Sequence, residues 1–128
     1  EYGLTDKIKW MDGGDIPAAY SLASLVLSPS QVAEGFGRVP VEAQAMGVPV
    51  IATALGATNE TILDGQTGWL VPLASVQGIS DAILACLSLA PEQRTAMSQK
   101  AKDYVRSKFE LKQMCDATLK VYDEVARR

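Results

Sequence analysis

The residues whose types and spacing best suit a chemical role lie between positions 34 and 42. Gly35 and Gly37 stand just before a predicted helix that begins at Arg38 or Val39. Glycine lets the backbone approach a ligand closely and take φ values that are barred to other residues. The first turn of a helix presents free N–H groups and the positive end of the helix dipole. This segment is therefore a candidate binding place for a phosphate group.

Two glutamates extend this candidate phosphate site. Glu34 precedes the glycines, and Glu42 follows about one turn into the predicted helix. At a rise of about 1.5 Å per residue, Glu42 is displaced along the helix axis from a phosphate at the helix start. Its carboxylate can accept two hydrogen bonds from a ribose diol, as the acidic residue of dinucleotide-binding folds does. Glu34 would face the other end of a diphosphate; the alternatives are a polar loop tip for Glu34 and a solvated helix position for Glu42.

Short apolar runs alternate with helical stretches, and these elements must position the site. Four strands are predicted, at residues 8–11, 25–27, 49–53 and 68–71. Helices are predicted at residues 16–22, 39–46 and 59–63, with further helices beginning near Val76, Pro91 and Phe109. Asp15 is placed to cap the first helix, and Gly47 terminates the second.

This alternation predicts an α/β fold with a doubly wound parallel sheet. Short, nearly all-apolar strands separated by helices indicate a parallel sheet that is covered on both faces. In such sheets ligands bind outside the carboxyl ends of the strands. The loops after Trp10, Leu27 and Thr53 are therefore the predicted ligand-binding edge.

Composition narrows the function classes. A length of 128 residues fits one domain, and a hydrophobic content of 48% can fill a core. The net charge of −3 and the pI of about 4.9 argue against a nucleic-acid-binding protein. No apolar run reaches the roughly 20 residues of a membrane span, and no signal peptide is visible.

Metal and disulfide chemistry find little support. The chain has no histidine, and its two cysteines, Cys86 and Cys115, lack the paired spacing of zinc ligands. Both are predicted to be buried free thiols in a reducing compartment. Asp12 and Asp15 are interpreted as turn and cap residues and not as a metal pair.

The segment from Ser28 to Ile51 resembles the signature of a known enzyme group. Its parts are Ser28-Pro29-Ser30, then Glu34-Gly35-Phe36-Gly37, then the run Glu42-Ala43-Gln44-Ala45-Met46-Gly47-Val48-Pro49-Val50-Ile51. They resemble the glycogen-synthase-like and mannosyltransferase-like group of retaining GT-B glycosyltransferases, which carries two glutamates separated by seven residues. The resemblance also covers Ile8 to Met11, Tyr20, Gly56, Glu60, Asp64-Gly65, Thr67-Gly68 and Leu70-Val71-Pro72.

The resemblance implies a Rossmann-like half of a GT-B enzyme and a role for each site residue. Glu34, the candidate catalytic residue, would contact hydroxyls of the donor sugar. Donor binding falls to six further residues: Gly35, Phe36, Gly37, Arg38, Val39 and Glu42. The glycine-flanked turn would offer N–H groups near the sugar and distal phosphate, Arg38 and Val39 would lie beside the diphosphate, and Glu42 would bind the ribose hydroxyls. The group commonly has adjacent glycines in the loop after the strand at residues 49–53, where this chain has Ala54-Leu55-Gly56-Ala57. A backbone contact to the ligand at Leu55 is therefore in question.

The implied reaction is transfer of a sugar, with retention, from a nucleoside-diphosphate sugar to a glycan, lipid or small-molecule acceptor, without metal or other cofactor. Residues 1–128 would be a partial C-terminal nucleotide-sugar-binding domain, because the chain begins at Glu1 and lacks the group's first strand, its Arg/Lys pair and the N-terminal acceptor domain. Lys7 and Lys9 lie on the wrong element to replace that pair. The chain alone is expected to be inactive, and its parent to be cytoplasmic or peripheral to the inner membrane.

The last predicted helix, in residues 110–128, is expected to pack on the missing domain. In its absence the apolar stripe of this helix predicts self-association or a re-docked helix, the alternative being that the stripe packs on its own domain; it contains Leu111, Met114, Leu119, Val121 and Tyr122.

Three other functions are alternatives for this sequence. The first is a non-catalytic nucleotide-sugar-binding or regulatory module that pairs with a separate chain. A receiver-like signalling domain is disfavoured because it needs a phosphorylatable Asp at the end of a strand. Here Ser-Pro follows Leu27 and Ala-Leu follows Thr53. A sugar-nucleotide epimerase would need a histidine.

Overall fold

Three parallel strands form the sheet of the computed structural model, which describes residues 2–127. They lie in the order β1 (Val26–Ser28), β2 (Val50–Thr53) and β3 (Trp69–Val71). Val26 pairs with Val50 across β1 and β2, and Ile51 pairs with Trp69 across β2 and β3. All four residues of the central strand are buried, as expected for a strand covered on both faces.

Six α-helices and one short 3-10 helix (Thr5–Lys7) accompany the sheet within the described residues. The α-helices are α1 (Ile16–Leu22), α2 (Arg38–Ala45), α3 (Thr58–Thr61), α4 (Val76–Leu87), α5 (Pro91–Phe109) and α6 (Leu111–Ala126). The predicted cap is confirmed, because Asp15 Oδ1 accepts a hydrogen bond from the Ala18 N–H at 3.0 Å. Gly47 follows α2 with a φ of 73°, as a C-terminal glycine should. None of these helices has both the length and the apolar character that crossing a membrane requires.

Side chains that alternate along the strands belong to two separate hydrophobic cores, one on each face of the sheet. On one face Val50 and Ala52 pack with Ala43 of α2 and Ile62, and Tyr20 of α1 joins them. On the other face a second cluster packs against α4; it contains Ile51, Val71, Ala82, Ile79 and Ile83. Burying each large aliphatic side chain contributes about 1.5–3 kcal/mol. Helices thus cover both faces, and the predicted α/β doubly wound parallel sheet is confirmed.

The predicted first strand at residues 8–11 is wrong. These residues form no strand, and Trp10 is 90% and Ile8 51% exposed. A strand needs a neighbour for its backbone hydrogen bonds, and among residues 2–127 β1 pairs only with β2. The described sheet therefore has three strands and not four. The other three predicted strands and the predicted helices lie within one or two residues of the observed ones.

Helix α6 packs little on the rest of the chain. No described residue of α6 is buried, although the Gln113 side chain donates a hydrogen bond to the Ser107 carbonyl at 2.9 Å. Its apolar stripe is more than half exposed, at Leu111, Met114, Leu119, Val121 and Tyr122. The alternative that this stripe packs on its own domain is therefore wrong. For the same reason Cys115 is exposed, contrary to prediction, whereas Cys86 is buried as predicted.

Candidate functional site

The loops after β1 and β2 meet at the carboxyl edge of the sheet. The Ala57 N–H points to the Glu34 carbonyl at 3.4 Å. A Cβ placed on Gly56, whose φ is 63°, would lie 3.0 Å from the same carbonyl oxygen, so only glycine fits there without displacement. The structure thus brings together the loops predicted from Leu27 and Thr53. The loop after Trp10 was predicted at this edge because a strand was expected before it. Among residues 2–127 no strand precedes that loop, so this reason for placing it here no longer holds.

Helix α2 begins at this edge with an open end. Its N-cap, Gly37, has a left-handed φ of 71°, and no side chain caps the helix. The N–H groups of Arg38 and Val39 in the first turn therefore remain for a ligand or water. Gly35 does not take a positive φ, and a Cβ there would meet no atom within 4 Å. Of the two glycines, only Gly37 is required by the backbone conformation.

The Glu34 carboxylate lies beside the start of α2. The Ser30 hydroxyl donates a hydrogen bond to Glu34 Oε1 at 2.8 Å. Glu34 Oε2 lies 3.9 Å from the position that a Cβ on Gly37 would take. The helix dipole favours a negative charge in this place. Glu34 is exposed, so its carboxylate is accessible to a ligand bound at the helix start.

The Glu42 carboxylate is held from two sides. Tyr20 Oη donates to Glu42 Oε2 at 3.1 Å. Arg38 donates to Glu42 Oε1 through Nε at 3.0 Å and through Nη2 at 2.7 Å. Burial raises the pKa of Tyr20, the hydrogen bond and charge of Glu42 raise it further, and Arg38 opposes them. Tyr20 is therefore a protonated donor at neutral pH.

A cleft of about 350 Å³ opens between α1 and α2 next to this carboxylate. Its polar end is formed by Tyr20, Arg38 and Glu42, and its apolar wall includes Ile16, Pro17 and Met46. An apolar cleft with a few convergent polar groups is the usual form of a small-molecule site. In the sequence Tyr20 stands out only through the family resemblance, because its contact with Glu42 depends on how α1 packs against α2.

Phe36 ties the site loop to the far end of α5. Its ring meets Phe109 edge to face, with centroids 5.6 Å apart and planes at 72°. Phe109 also contacts the ring of Tyr104, whose hydroxyl donates to the Glu60 carbonyl at 2.6 Å. This aromatic cluster could not be predicted from the sequence, because Phe36 lies far along the chain from Tyr104 and Phe109.

Two further expectations concern Leu55 and metal ligands. The Leu55 N–H donates within its own loop, to the Thr53 carbonyl at 2.8 Å and to the Thr58 hydroxyl at 3.0 Å, so it is already engaged. Within residues 2–127 no three side chains of His, Cys, Asp or Glu are grouped to hold a metal ion.

Curated relatives of the chain are enzymes that transfer sugars. The chain is 35% identical over 127 residues to D-inositol 3-phosphate glycosyltransferase of Saccharomonospora viridis, covering 97% of this chain and 29% of the relative. It is 41% identical over 105 residues to lipopolysaccharide 1,2-N-acetylglucosaminetransferase of Salmonella typhimurium, covering 77% and 27%. The chain thus spans less than a third of the length of these two relatives.

Solved structures of glycosyltransferases share the fold. Sucrose-phosphate synthase of Thermosynechococcus elongatus superposes with a TM-score of 0.90 at 28% identity, covering 98% of this chain and 32% of that one. Anabaena HepE in complex with UDP-glucose gives a TM-score of 0.88 at 25% identity, covering 95% and 34%. The C-terminal domain of the group 1 glycosyl transferase LpcC of Francisella tularensis gives 0.69 at 34% identity, covering 81% and 53%. The chain has the Rossmann-like fold of one half of a GT-B glycosyltransferase.

The family model described as glycosyl transferases group 1 matches residues 1–104. With this match over most of its length, the chain belongs to the glycosyl transferases group 1 family.

Proposed function

We propose that this chain is the donor-binding part of a retaining glycosyltransferase that takes a sugar from a nucleoside-diphosphate sugar. The observation that carries the proposal is the placing of Glu34 and Glu42 about the uncapped start of α2, with a cleft beside Glu42. An open helix start suits a diphosphate, and a carboxylate set along the helix suits a ribose diol. Family membership supports the same reading.

In the proposed complex the ribose lies in the cleft on Glu42. The diphosphate lies at the start of α2, against the glycine-flanked turn and the N–H groups of Arg38 and Val39. The sugar extends toward Glu34. Arg38 holds Glu42 in the absence of donor, but its side chain is 83% exposed, so it is free to turn toward the diphosphate. An exposed pair of this kind contributes little, about 0.3–0.5 kcal/mol.

The transfer breaks the bond between the sugar and the distal phosphate, so negative charge develops on the leaving diphosphate. The helix start and Arg38 would stabilise that charge from this side. Glu34, which contacts hydroxyls of the donor sugar in this proposal, would orient the reacting carbon. The remaining positive charge and the acceptor site would come from the longer parent protein. We therefore expect the isolated chain to form no product, and product from any sugar nucleotide in a mixed panel would contradict this.

The names of the similar proteins guide the choice of donor and acceptor. HepE binds UDP-glucose, so UDP and UDP-glucose are the first ligands to test. The names of two curated relatives refer to D-inositol 3-phosphate and to lipopolysaccharide. We propose a glycan, lipid or small-molecule acceptor for the parent, and a cytoplasmic parent, with peripheral binding to the inner membrane as the alternative. Donor binding is proposed to need no metal, so EDTA should leave the donor affinity unchanged.

The proposal is tested by calorimetric titration of the chain with UDP, GDP, ADP and their sugars. Glu42→Ala should weaken the best of these ligands, since hydrogen bonds to a charged group contribute about 1.5–3 kcal/mol. Glu92→Ala, at the start of α5, removes an equal charge away from the cleft and serves as the control. Equal affinity of wild type and Glu42→Ala would contradict the ribose assignment.

A second candidate is a non-catalytic nucleotide-sugar-binding or regulatory module that works with a separate chain. The exposed apolar stripe of α6 suits a separate partner chain as well as an acceptor domain of the same chain. The two candidates differ in whether the parent reading frame encodes the acceptor domain upstream of Glu1.

A further inference from the structure

Tyr20 is the polar residue of the cleft lining to which the donor-binding proposal gives no role. It lies on α1, and its half-buried ring packs against the core cluster formed by Ala43, Val50, Ala52 and Ile62. From this anchored ring the hydroxyl reaches Glu42 Oε2 on α2 at 3.1 Å. The direction of the Tyr20 hydroxyl is therefore set by the core and not by solvent.

The two partners of Glu42 differ in how easily they can leave. Arg38 comes from the same helix, and its side chain is 83% exposed. It can turn away by rotation of its own side chain. Tyr20 can leave only if its ring withdraws from the core, so it remains bonded when a ligand arrives.

The oxygens of Glu42 then still have room for a diol. A carboxylate has about four acceptor positions, two on each oxygen. Tyr20 takes one position on Oε2, and departure of Arg38 frees both positions on Oε1. The Glu42 carboxylate, held by Tyr20 alone, can thus accept both ribose hydroxyls. Because Tyr20 already orders the Glu42 side chain, ligand binding costs less side-chain conformational entropy.

We propose that Tyr20 is a positioning residue that presets the Glu42 carboxylate for the 2′- and 3′-hydroxyls of the donor ribose. This inference rests on the proposed function. It goes beyond it in assigning ribose recognition to a pair of side chains on two helices. A role confined to docking α1 on α2 is the competing explanation, and the two predict different ligand dependence.

The test compares ribose with deoxyribose ligands. Affinities of the chain for UDP and 2′-deoxy-UDP, GDP and 2′-deoxy-GDP, and ADP and 2′-deoxy-ADP are measured by calorimetry, and the tightest pair is kept. Tyr20→Phe removes only the hydroxyl and should weaken the ribonucleotide by about three- to tenfold, with a smaller loss for the deoxynucleotide. Tyr104→Phe is the matched control, because it also removes a hydroxyl with a structural hydrogen bond, to the Glu60 carbonyl, and keeps its ring.

Two outcomes support the inference together. The ribose-to-deoxyribose preference falls in Tyr20→Phe and not in Tyr104→Phe, and Tyr20→Phe adds no further loss in a Glu42→Ala background. Equal weakening of both ligands by Tyr20→Phe, or an undiminished loss in the Glu42→Ala background, would overturn the positioning role while leaving donor binding intact. A wild-type chain with no preference for ribose would instead overturn the ribose assignment of the proposed function, and the inference with it.

Discussion

Both carboxylate oxygens of Glu42 already accept hydrogen bonds from side chains of the protein. Arg38 occupies Oε1 with two hydrogen bonds, and Tyr20 occupies Oε2 with one. A diol that donates both of its hydroxyls to this carboxylate must displace Arg38 from at least one position, because only one acceptor position on Oε2 is free. Arg38 gains a new partner if the ligand carries a diphosphate. At the scale of single residues, we therefore expect Arg38 to oppose binding of a bare nucleoside and to favour binding of a nucleoside diphosphate.

Replacing Arg38 with Met should therefore change the two ligands in opposite directions. Arg38→Met keeps the aliphatic stem and removes the charge. Uridine, or the nucleoside of the preferred base, should bind up to about twofold more tightly because an exposed ion pair is no longer broken. The matching diphosphate should bind about tenfold more weakly, since it loses hydrogen bonds to a charged group. Calorimetry at low and high salt measures both, and salt should narrow the difference for the diphosphate.

Lys112→Met is the control for Arg38→Met. It breaks the Lys112–Asp116 pair, which has the same spacing on α6 and lies outside the cleft. Parallel changes for nucleoside and diphosphate in Arg38→Met would show that Arg38 does not exchange Glu42 for phosphate.

At the scale of elements, the ends of the helices could be predicted from the sequence. Asp15 and Gly47 mark ends that depend on a few neighbouring residues, so their roles were predictable. The predicted strand at residues 8–11 failed because pairing requires a neighbour that local pattern does not reveal. The contact between Tyr20 and Glu42 joins two helices and likewise follows from packing. The Glu34–Glu42 segment could be predicted as a candidate site because its helix start, turn and charges are contiguous in the sequence.

The entry to β3 gives a stability prediction at this scale. A Cβ on Gly68 would lie 2.5 Å from the Val50 carbonyl oxygen and 2.8 Å from Val50 Cγ1. Gly68→Ala should therefore separate β3 from β2 and lower the free energy of unfolding by about 1–3 kcal/mol. Urea unfolding followed by circular dichroism measures the change.

Gly35→Ala is the comparison for Gly68→Ala. A Cβ on Gly35 meets no atom within 4 Å, and Gly35 does not take a left-handed φ. Its free energy of unfolding should be unchanged or slightly raised, because alanine lowers the entropy of the unfolded chain. If both variants unfold at the wild-type urea concentration, the close approach of Gly68 to β2 has no energetic weight.

At the scale of the whole molecule, the chain divides into a packed sheet with α1 to α5 and a weakly attached α6. Both cores lie in the first part, and no described residue of α6 contributes a buried side chain. The candidate site also lies wholly in the first part, so we expect the proposed donor binding not to require α6. The stripe of α6 is an exposed apolar surface.

We predict that this stripe makes the isolated chain self-associate. Burying exposed apolar area stabilises contact between copies at about 25 cal/mol per Å². The mass from light scattering should rise with protein concentration. Leu119→Glu combined with Tyr122→Glu should suppress that rise because both side chains are more than half exposed on the stripe. Lys120→Glu changes charge on the same helix but leaves the stripe intact, and should retain association. A wild-type chain that stays a monodisperse monomer with α6 solvated would contradict the prediction, whereas loss of association in both variants would assign it to charge instead of the stripe.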